Sequence, residues 1–330
     1  MTGIPGMTRS RRTAASAALA ATLILSATTA LYATGNLELV TDAGKIANRV
    51  WHANSLPILW KYHDATTIAG CYSSAGAPPA ALQPAAASAF TTWQNNPDSK
   101  ITFSYGGLTT TRDIGNDGVN VITFCDSAVL TSDLGFLART PTTTLTASLT
   151  VTLGGGCPAG QGILDQNGNP PPAGYCFPVG TYPAGTIIDG DIEFNSFGTT
   201  ETSFSTNNTT PGTYDLETTM LHEQGHFHGL SHDPILEATM FPFVDDIPAS
   251  DGANQRVLRR SDLSMSAHYY PEATYGANYG SITGFVSLDG VDADGVHVVA
   301  IDPNTMLGIE GRFSISRFED TAAMGSEGPD

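Results

Sequence analysis

Three histidines at positions 222, 226 and 232 constrain the fold of this chain more than any other sequence feature. His222 and His226 are four residues apart, so on an α-helix they share a face and can point at one metal ion. Gly229 follows His226 by three residues, and a glycine there can adopt the left-handed conformation that ends a helix and turns the chain back. The spacing therefore predicts a helix, a glycine turn and a return segment that carries His232 to the same point.

The residue types of this cluster predict a catalytic zinc site. Three neutral imidazoles leave a fourth position open for water or substrate, whereas structural zinc sites are closed by four protein ligands. Glu223 follows the first histidine, where its carboxylate can act as a general base on a water held by the metal. The alternative is a solvated, His-rich helix end, which the five fixed positions of the pattern make a rare coincidence. His228 lies off the shared face and is left out of the predicted metal shell.

The N-terminus has the pattern of a secretory signal peptide. A basic segment containing Arg9, Arg11 and Arg12 precedes an uncharged, Ala/Thr-rich apolar stretch at 13–31, and small residues follow. We therefore predict a signal peptide at residues 1–33 and a secreted protein with no stable membrane association after cleavage. A membrane anchor is the alternative, because the apolar stretch approaches the length that crosses a bilayer.

The net charge of −18 bears on the partners of the chain. Phosphate binding needs a basic face, so this charge excludes a nucleic-acid partner. Solubility explains the acidity, and bound calcium is the alternative explanation. Two segments rich in Asp, Asn and Gly, at 113–118 and 165–169, offer closely spaced oxygen ligands for calcium. Such clusters are usually plain turns, so both readings of these loops stay open.

Four cysteines fit an exported protein and allow three pairings. Cys157 and Cys176 bracket a Gly/Pro-rich loop, so we expect a local bridge between them. Cys71 and Cys125 would then form the second bridge. Free buried thiols are the alternative.

Hydrophobic patterning predicts a mixed α+β domain. Strands are expected at 57–64, 101–107, 118–125, 145–153 and 186–195. Helices are expected at 82–96, 214–229 and 259–270, the last with Ser261 as its N-cap. After residue 275, short alternating strands and Asp-Gly turns predict the start of a small β-sandwich module, similar to carboxypeptidase-regulatory-like domains. We therefore divide the chain into a catalytic domain at 34–275 and a partial, truncated module at 276–330.

The motif at 222–232 resembles that of the metzincin metalloproteases, and its surroundings resemble the matrixin branch. The family has a methionine turn beneath the metal, and Met240 lies eight residues after His232 in the segment ATMFPF. Phe241 and Pro242 match the start of the wall segment that follows in matrixins. Pro242 also stands where astacins and serralysins carry a tyrosine ligand. The resemblance extends to DLETTMLHEQGH at 215–226 and to DIEFN at 191–195.

This resemblance implies a metzincin-like zincin fold, with a twisted mixed sheet, an active-site helix and a C-terminal helix after the methionine turn. It implies a zinc-dependent endopeptidase acting on a protein or peptide substrate, and we expect a monomer. Met240 would form a hydrophobic floor under the histidines. Substrate would add as a strand near residues 187–195, and the pocket for its side chain would be lined by Leu221, Phe241, Pro242 and Phe243.

Two departures from animal matrixins are visible in the sequence. No histidine lies between His63 and His222, and Arg139 stands where a ligand of the family's structural zinc would be, so we expect no structural zinc. Cys71 lies within the expected mature domain, so we also expect no cysteine-switch propeptide.

Two other functions compete with the endopeptidase. The first is a secreted surface or adhesive protein whose zinc-binding domain is inactive, and the retained Glu223 speaks against it. The second is a zinc hydrolase of a non-protein amide, against which the third histidine and the methionine turn speak.

Overall fold

The fold is known from a computed structural model, in which a defined set of residues is described. These are residues 38–40, 46–63, 79–111, 114–124, 137–154, 156–163, 176–194, 204–206, 211, 213–243, 256–280, 282, 284–293, 296–306 and 308–313. The predicted signal peptide, Cys71, Cys125 and the loop 165–169 lie outside them. No helix in the described ranges has both the length and the apolar character needed to cross a bilayer.

The described residues form short strands, four α-helices and one 3₁₀ turn at Ala53–Ser55. The helices are α1 (Pro79–Gln94), α2 (Leu216–Phe227), α3 (Arg260–Tyr269) and α4 (Tyr275–Asn278). The strands are β1 (Glu38–Val40), β2 (Ile46–Asn48), β3 (Val50–Trp51), β4 (Ile58–His63), β5 (Phe103–Thr109), β6 (Val121–Phe124), β7 (Ala138–Arg139), β8 (Thr142–Thr144), β9 (Leu149–Val151), β10 (Gln161–Ile163), β11 (Cys176–Pro178), β12 (Gly180–Tyr182), β13 (Thr186–Gly190), β14 (Ile192–Phe194), β15 (Phe204–Ser205), β16 (Tyr214–Asp215), β17 (Ser287–Leu288), β18 (Val291–Asp292), β19 (His297–Ile301) and β20 (Gly308–Phe313).

The largest sheet has five strands in the order β5-β4-β6-β14-β7. β4 pairs in parallel with β5 and β6, and β14 pairs in parallel with β6 but antiparallel to β7. A three-stranded sheet continues it through β13, which lies between β3 and β8. The predicted mixed sheet of an α+β fold is therefore present.

The expected substrate edge at 187–195 is wrong. β13 and β14 have partners on both sides, so their backbone N–H and C=O groups are already paired within the sheets. Every residue of both strands is buried, as is typical of central strands. On one side of β14 and β13 the outer strands are β7 and β8, so the edge on that side lies at residues 138–144.

The first two helices pack against each other beneath the sheet. α1 buries Ala86, Ala89, Phe90 and Trp93, the helical spacing that the sequence predicted. The Trp93 indole N–H donates to the carbonyl oxygen of Leu221 on α2, at 2.9 Å. α2 is thereby held in register on α1, with ten of its twelve residues buried.

Distant parts of the chain converge on the C-terminal end of α2. The Trp51 indole N–H donates to the carbonyl oxygen of Phe227 at 2.7 Å. The Tyr270 hydroxyl donates to the carbonyl oxygen of His228 at 2.7 Å and accepts from the backbone N–H of Trp51 at 2.9 Å. Since the last four carbonyls of a helix lack intrahelical partners, these side chains satisfy groups that would otherwise be buried without one.

Two predicted element boundaries differ from the structure. The predicted strand at 145–153 is reduced to β9, because Leu145 turns into the core after β8. Ser261 is not the N-cap of α3, which begins at Arg260 with Arg259 as its cap residue. The Asp262 carboxylate accepts from the Arg259 backbone N–H at 2.8 Å, and the Ser261 hydroxyl donates to Asp233 instead.

Two antiparallel hairpins, β17–β18 and β19–β20, follow α4. The second hairpin packs on α3 and on the loop after His232: a β-carbon at Gly311 would lie 3.2 Å from both Pro234 Cγ and Ile235 Cγ1. The predicted β-sandwich module in this region stays a prediction.

The predicted local disulfide is present. Cys157 and Cys176 are bonded, with their α-carbons 5.5 Å apart. Cys176 begins β11, which pairs with β10 across the Gly/Pro-rich loop. The bridge therefore ties the base of this loop to the hairpin.

Candidate metal centre

Helix α2 is fixed at its start by Asp215. The Asp215 carboxylate accepts from the backbone N–H of Thr218 at 2.9 Å, which is the N-cap hydrogen bond of the helix. Arg256 forms ion pairs with both Asp215 and Glu217 in the first turn. Negative charge at a helix N-terminus is favourable to the helix dipole, so this end of α2 is anchored.

The other end of α2 turns at the predicted glycine. Gly229 has φ +99°, the left-handed conformation that side chains disfavour. Its N–H bonds the carbonyl oxygen of His226 at 2.9 Å, and Leu230 N–H bonds that of Gly225 at 2.9 Å. The chain therefore reverses beneath the helix and carries His232 towards the other two histidines.

The three histidines converge through their Nε2 atoms. His226 Nε2 lies 3.1 Å from His222 Nε2 and 3.2 Å from His232 Nε2. These three residues form the group of potential metal ligands that the described part of the chain contains. Tetrahedral ligands at a zinc–nitrogen distance of about 2.0–2.1 Å lie about 3.3–3.4 Å apart, so the spacing suits such an ion.

Hydrogen bonds at the opposite ring nitrogens fix the tautomers of two of these histidines. His222 Nδ1 donates to the carbonyl oxygen of Thr239 at 2.8 Å, and His226 Nδ1 donates to that of Leu230 at 2.7 Å. A carbonyl can only accept, so the proton sits on Nδ1 and the Nε2 lone pair is left for a metal. The donor set therefore fits zinc in residue type, tautomer and spacing.

Burial keeps the cluster neutral. It lowers the pKa of all three imidazoles, that of His232 to about 3, and the neighbouring histidines lower the pKa values of His222 and His232 further. Neutral imidazole is the form that binds a metal. The site is therefore in its metal-binding protonation state at neutral pH.

Glu223 lies beside the cluster and is only 5% exposed. Burial raises the pKa of its carboxyl to about 7, against a lowering effect of the Thr140 hydroxyl. A base is most effective when its pKa is close to the working pH, so this carboxylate is suited to proton transfer near neutrality. Thr140 donates to Glu223 Oε2 at 2.6 Å, a contact that the sequence did not predict.

The methionine turn lies against the underside of α2. Met240 is fully buried, and a β-carbon at Gly225 would collide with its sulfur. Asp262 on α3 accepts from the backbone N–H groups of Thr239 at 2.9 Å and of Met240 at 3.0 Å. Burial raises the pKa of Asp262 to about 6, and these hydrogen bonds oppose the shift. The turn is therefore held between the two helices.

The four residues expected to line a substrate pocket differ in their exposure. Leu221 is buried in the main core, Phe241 and Pro242 are half-buried, and Phe243 is 69% exposed. A cavity of about 300 Å³ lies elsewhere, beside residues that include Trp51, Pro57 and Phe177. Residues 244–255, which follow Phe243, lie outside the described part of the chain.

Arg139, which stands where the resemblance would place a ligand of the family's structural zinc, forms an ion pair with the buried Glu193. The Arg139 Nε and Nη2 atoms both lie 2.6 Å from Glu193 Oε2, and Glu193 is fully buried. The pair joins β7 to β14. An arginine fork and a carboxylate thus connect the edge strand to the sheet.

An acidic cluster connects the loop before β6 to β13 and β14. Asp191 accepts from the backbone N–H groups of Gly115 at 2.9 Å and Val121 at 3.0 Å, and Asp189 accepts from that of Asp117 at 3.2 Å. Burial raises the pKa values of both Asp189 and Asp191; repulsion from Asp191 and Asp117 adds to the shift of Asp189, and repulsion from Asp117 and Glu193 adds to that of Asp191. The second oxygen of Asp189, Oδ1, is buried and has no hydrogen-bond partner among the described residues.

His228 is not a member of the cluster formed by the other three histidines. Its Nδ1 donates to the carbonyl oxygen of Gln224 at 2.6 Å, and its ring packs edge-on against Trp93. It is therefore part of the core beneath α2.

Comparison with known proteins gives a family match for part of the chain. Residues 176–270 match the family model for matrixin. The matched segment runs from β11 to the end of α3 and contains all three histidines, Glu223 and Met240. It covers a minority of the 330 residues, and a search of characterised proteins gave no match. This segment therefore resembles the matrixin-like metzincins, a family of zinc metallopeptidases. It is also the part of the chain that forms the histidine cluster.

Proposed function

We propose that this chain is a secreted zinc endopeptidase. The observation that carries the proposal is the convergence of three Nε2 atoms beside a buried Glu223, inside the matrixin segment. His222, His226 and His232 would hold the ion. Bound zinc supplies a Lewis acid that polarises a carbonyl and lowers the pKa of water.

Glu223 is assigned the proton transfers. Its carboxylate accepts a proton from the attacking water and passes it to the leaving amine, a role for which the raised pKa of about 7 is suited. Burial excludes bulk water from this carboxylate, which strengthens its interaction with the reacting groups.

The substrate is assigned to the edge of the sheet at residues 138–144. An extended peptide can add a strand to an exposed sheet edge through main-chain hydrogen bonds. Thr140, in the middle of this segment, contacts Glu223, so the edge lies next to the proposed base. Leu221 and the segment 241–243 remain our proposal for the side-chain pocket, in which the exposed Phe243 would contact a bound peptide.

The compartment and the partners that we propose are those predicted from the sequence. The Cys157–Cys176 disulfide supports an extracellular location, because such bridges persist in oxidising compartments. We propose a signal peptide at 1–33, a catalytic domain at 34–275 and a partial β-sandwich module at 276–330. We also propose that the enzyme is a monomer that binds protein or peptide substrates and no nucleic acid.

We also propose a calcium-binding site at the loop 113–118. Asp117, Asp189 and Asp191 lie close together there, and the unpaired Asp189 Oδ1 is a buried oxygen that a cation would satisfy. The second loop, at 165–169, offers no structural support because it lies outside the described residues.

Cleavage of casein tests the function. The wild type, Glu223→Gln and the matched exposed variant Glu237→Gln are each loaded with zinc, quantified, and assayed with and without a chelator. We expect cleavage by the wild type and by Glu237→Gln, loss with chelator, and a fall of about a hundredfold or more in Glu223→Gln at equal zinc content.

The same assay separates the competing functions. If Glu223→Gln cleaves casein at the wild-type rate, the assignment of the base is wrong. If zinc binds at one ion per chain and no variant cleaves, an inactive zinc-binding domain of a surface or adhesive protein replaces the endopeptidase.

A further inference from the structure

Thr140 connects the edge of the sheet to the catalytic helix. Its Oγ1 lies 2.6 Å from Glu223 Oε2 and 3.1 Å from the backbone oxygen of Glu223. The shorter distance is typical of a hydroxyl that donates to an ionised carboxylate. Since a threonine hydroxyl carries one proton, the carboxylate is the nearer of two acceptors for it.

The residues on both sides of Thr140 are bonded to β14 or to Asp191, the residue directly before it. Arg139 forms its ion pair with the buried Glu193. On the other side, the carbonyl oxygen of Pro141 accepts from the backbone N–H of Asp191 at 3.0 Å. Thr140 therefore occupies the corner between β7 and β8 with its backbone held from both directions.

This arrangement matters because a buried glutamate side chain has several rotatable bonds. A catalytic group must be kept in its productive geometry by neighbours whose own positions are fixed. Among the described residues, the Thr140 hydroxyl is the side-chain group recorded within hydrogen-bonding distance of the Glu223 carboxylate. Without this hydroxyl, only packing contacts would orient the Glu223 carboxylate.

We propose that Thr140 is a positioning residue that holds the Glu223 carboxylate in its reactive orientation. This proposal rests on the proposed function, since it assumes that Glu223 is the base. Thr140 belongs to the edge segment to which an extended peptide would add, so one residue connects the substrate-binding edge to the proton-transferring group. Binding a strand along residues 138–144 would then stabilise the position of the base.

Four variants test the role of the hydroxyl. Thr140→Val replaces it by a methyl group of similar shape, and Thr140→Ala serves if the valine variant does not fold. Thr140→Ser restores a hydroxyl. Thr150→Val is the matched control, because it removes an exposed hydroxyl that only contacts Thr181 at 3.1 Å on strands β9 and β12.

The first measurement is steady-state cleavage of fluorescein-labelled casein by the zinc-loaded proteins. Loss of a hydrogen bond to a charged group predicts a fall in kcat of about ten- to a hundredfold for Thr140→Val, with KM changed by less than about threefold. Thr140→Ser should recover most of this loss, and Thr150→Val should match the wild type. Equal kcat for Thr140→Val and wild type, or a serine variant as slow as the valine variant, would overturn the proposal.

The second measurement does not depend on activity. Crystal structures of the zinc-loaded wild type, Thr140→Val and Thr140→Ser report the orientation of Glu223 directly. We expect one carboxylate orientation in the wild type and the serine variant, and a changed or multiple orientation in the valine variant. An unchanged Glu223 in the valine variant would overturn the positioning role even if casein is not a substrate. Failure of the wild type to cleave casein counts only against the proposed function.

Discussion

His222 donates from Nδ1 to the carbonyl oxygen of Thr239, at 2.8 Å. Thr239 in turn donates its backbone N–H to Asp262 on α3. The orientation of His222, the first of the proposed metal ligands, therefore depends on the methionine turn and, through it, on the C-terminal helix. Partners of this kind, which contact the ligands but not the metal, affect metal affinity about ten- to a hundredfold when they are lost.

The close approach of Gly225 to Met240 predicts the effect of one added methyl group. In Gly225→Ala the β-carbon collides with Met240 Sδ and lies 3.2 Å from Trp93 Cζ2. Overpacking of this kind costs about 1–3 kcal/mol, so we expect a lower melting temperature and weaker zinc binding. Gly284→Ala is the control, since a β-carbon there meets nothing within 4 Å. Equal melting temperatures for both variants and the wild type would contradict this packing.

Zinc should stabilise the protein through the three histidines. At a free zinc concentration about a hundred times Kd, binding stabilises the folded state by about 2.7 kcal/mol. This corresponds to about 5–10 °C in the melting temperature of a domain of this size. Differential scanning fluorimetry with zinc and with a chelator measures the shift, which we expect to disappear in His232→Ala and to persist in the exposed His268→Ala. A zinc-dependent shift of full size in His232→Ala would remove that residue from the ligand set.

The raised pKa of Asp189 predicts a free energy of unfolding that falls as the pH rises. Burial and the neighbouring Asp191 raise its pKa from 3.8 to about 8, so the folded state keeps a proton that the unfolded state releases. The contribution of the protonated Asp189 to the free energy of unfolding is fully present below about pH 4 and is lost progressively up to about pH 8. In Asp189→Asn we expect this slope to flatten and the melting temperature at pH 8.5 to rise by a few degrees, about 2–4 °C per kcal/mol.

The same variant tests calcium. Calcium bound at this cluster would raise the melting temperature of the wild type at pH 8.5 and would leave Asp189→Asn unchanged. The exposed variant Asp292→Asn should behave as the wild type does. A calcium response of equal size in all three proteins would place the ion elsewhere.

The C-terminal hairpin should stabilise the loop that follows the third histidine. A β-carbon at Gly311 lies 3.1 Å from His297 Nε2 as well as 3.2 Å from Pro234 and Ile235, so Gly311→Val forces the hairpin away from the loop. We expect a loss of about 1–3 kcal/mol and faster amide exchange at 233–240. Gly280→Val is the control, because a β-carbon at 280 meets nothing within 4 Å. Unchanged exchange in Gly311→Val would show that the hairpin does not support the loop.

The histidine cluster could be predicted from the sequence because its geometry is local. The spacing of His222 and His226 fixes a shared helix face, and Gly229 alone supplies the turn that the structure shows at φ +99°. The helices were also recognisable, since Ala86, Ala89, Phe90 and Trp93 repeat at helical spacing and are all buried. Each of these features depends on residues only a few positions apart.

The substrate edge could not be predicted in the same way. Which strand is outermost depends on pairings between distant segments, and nothing local in the segment that contains Asp189, Asp191 and Glu193 reports those pairings. The structure buries these carboxylates against backbone N–H groups and Arg139. The contact between Thr140 and Glu223 was missed for the same reason, because the two residues are 83 positions apart and neither has a local signal for the other.

The hydrogen bonds of Trp51 and Tyr270 at the end of α2 bear on how the protein is made. The N–H of Trp51 and the hydroxyl of Tyr270 are separated by 219 residues, yet both residues bond the turn that brings His232 to the other histidines. Contacts so distant in sequence form late, because loop closure opposes them until both ends are present. The turn therefore lacks part of its support until the ribosome has passed residue 270.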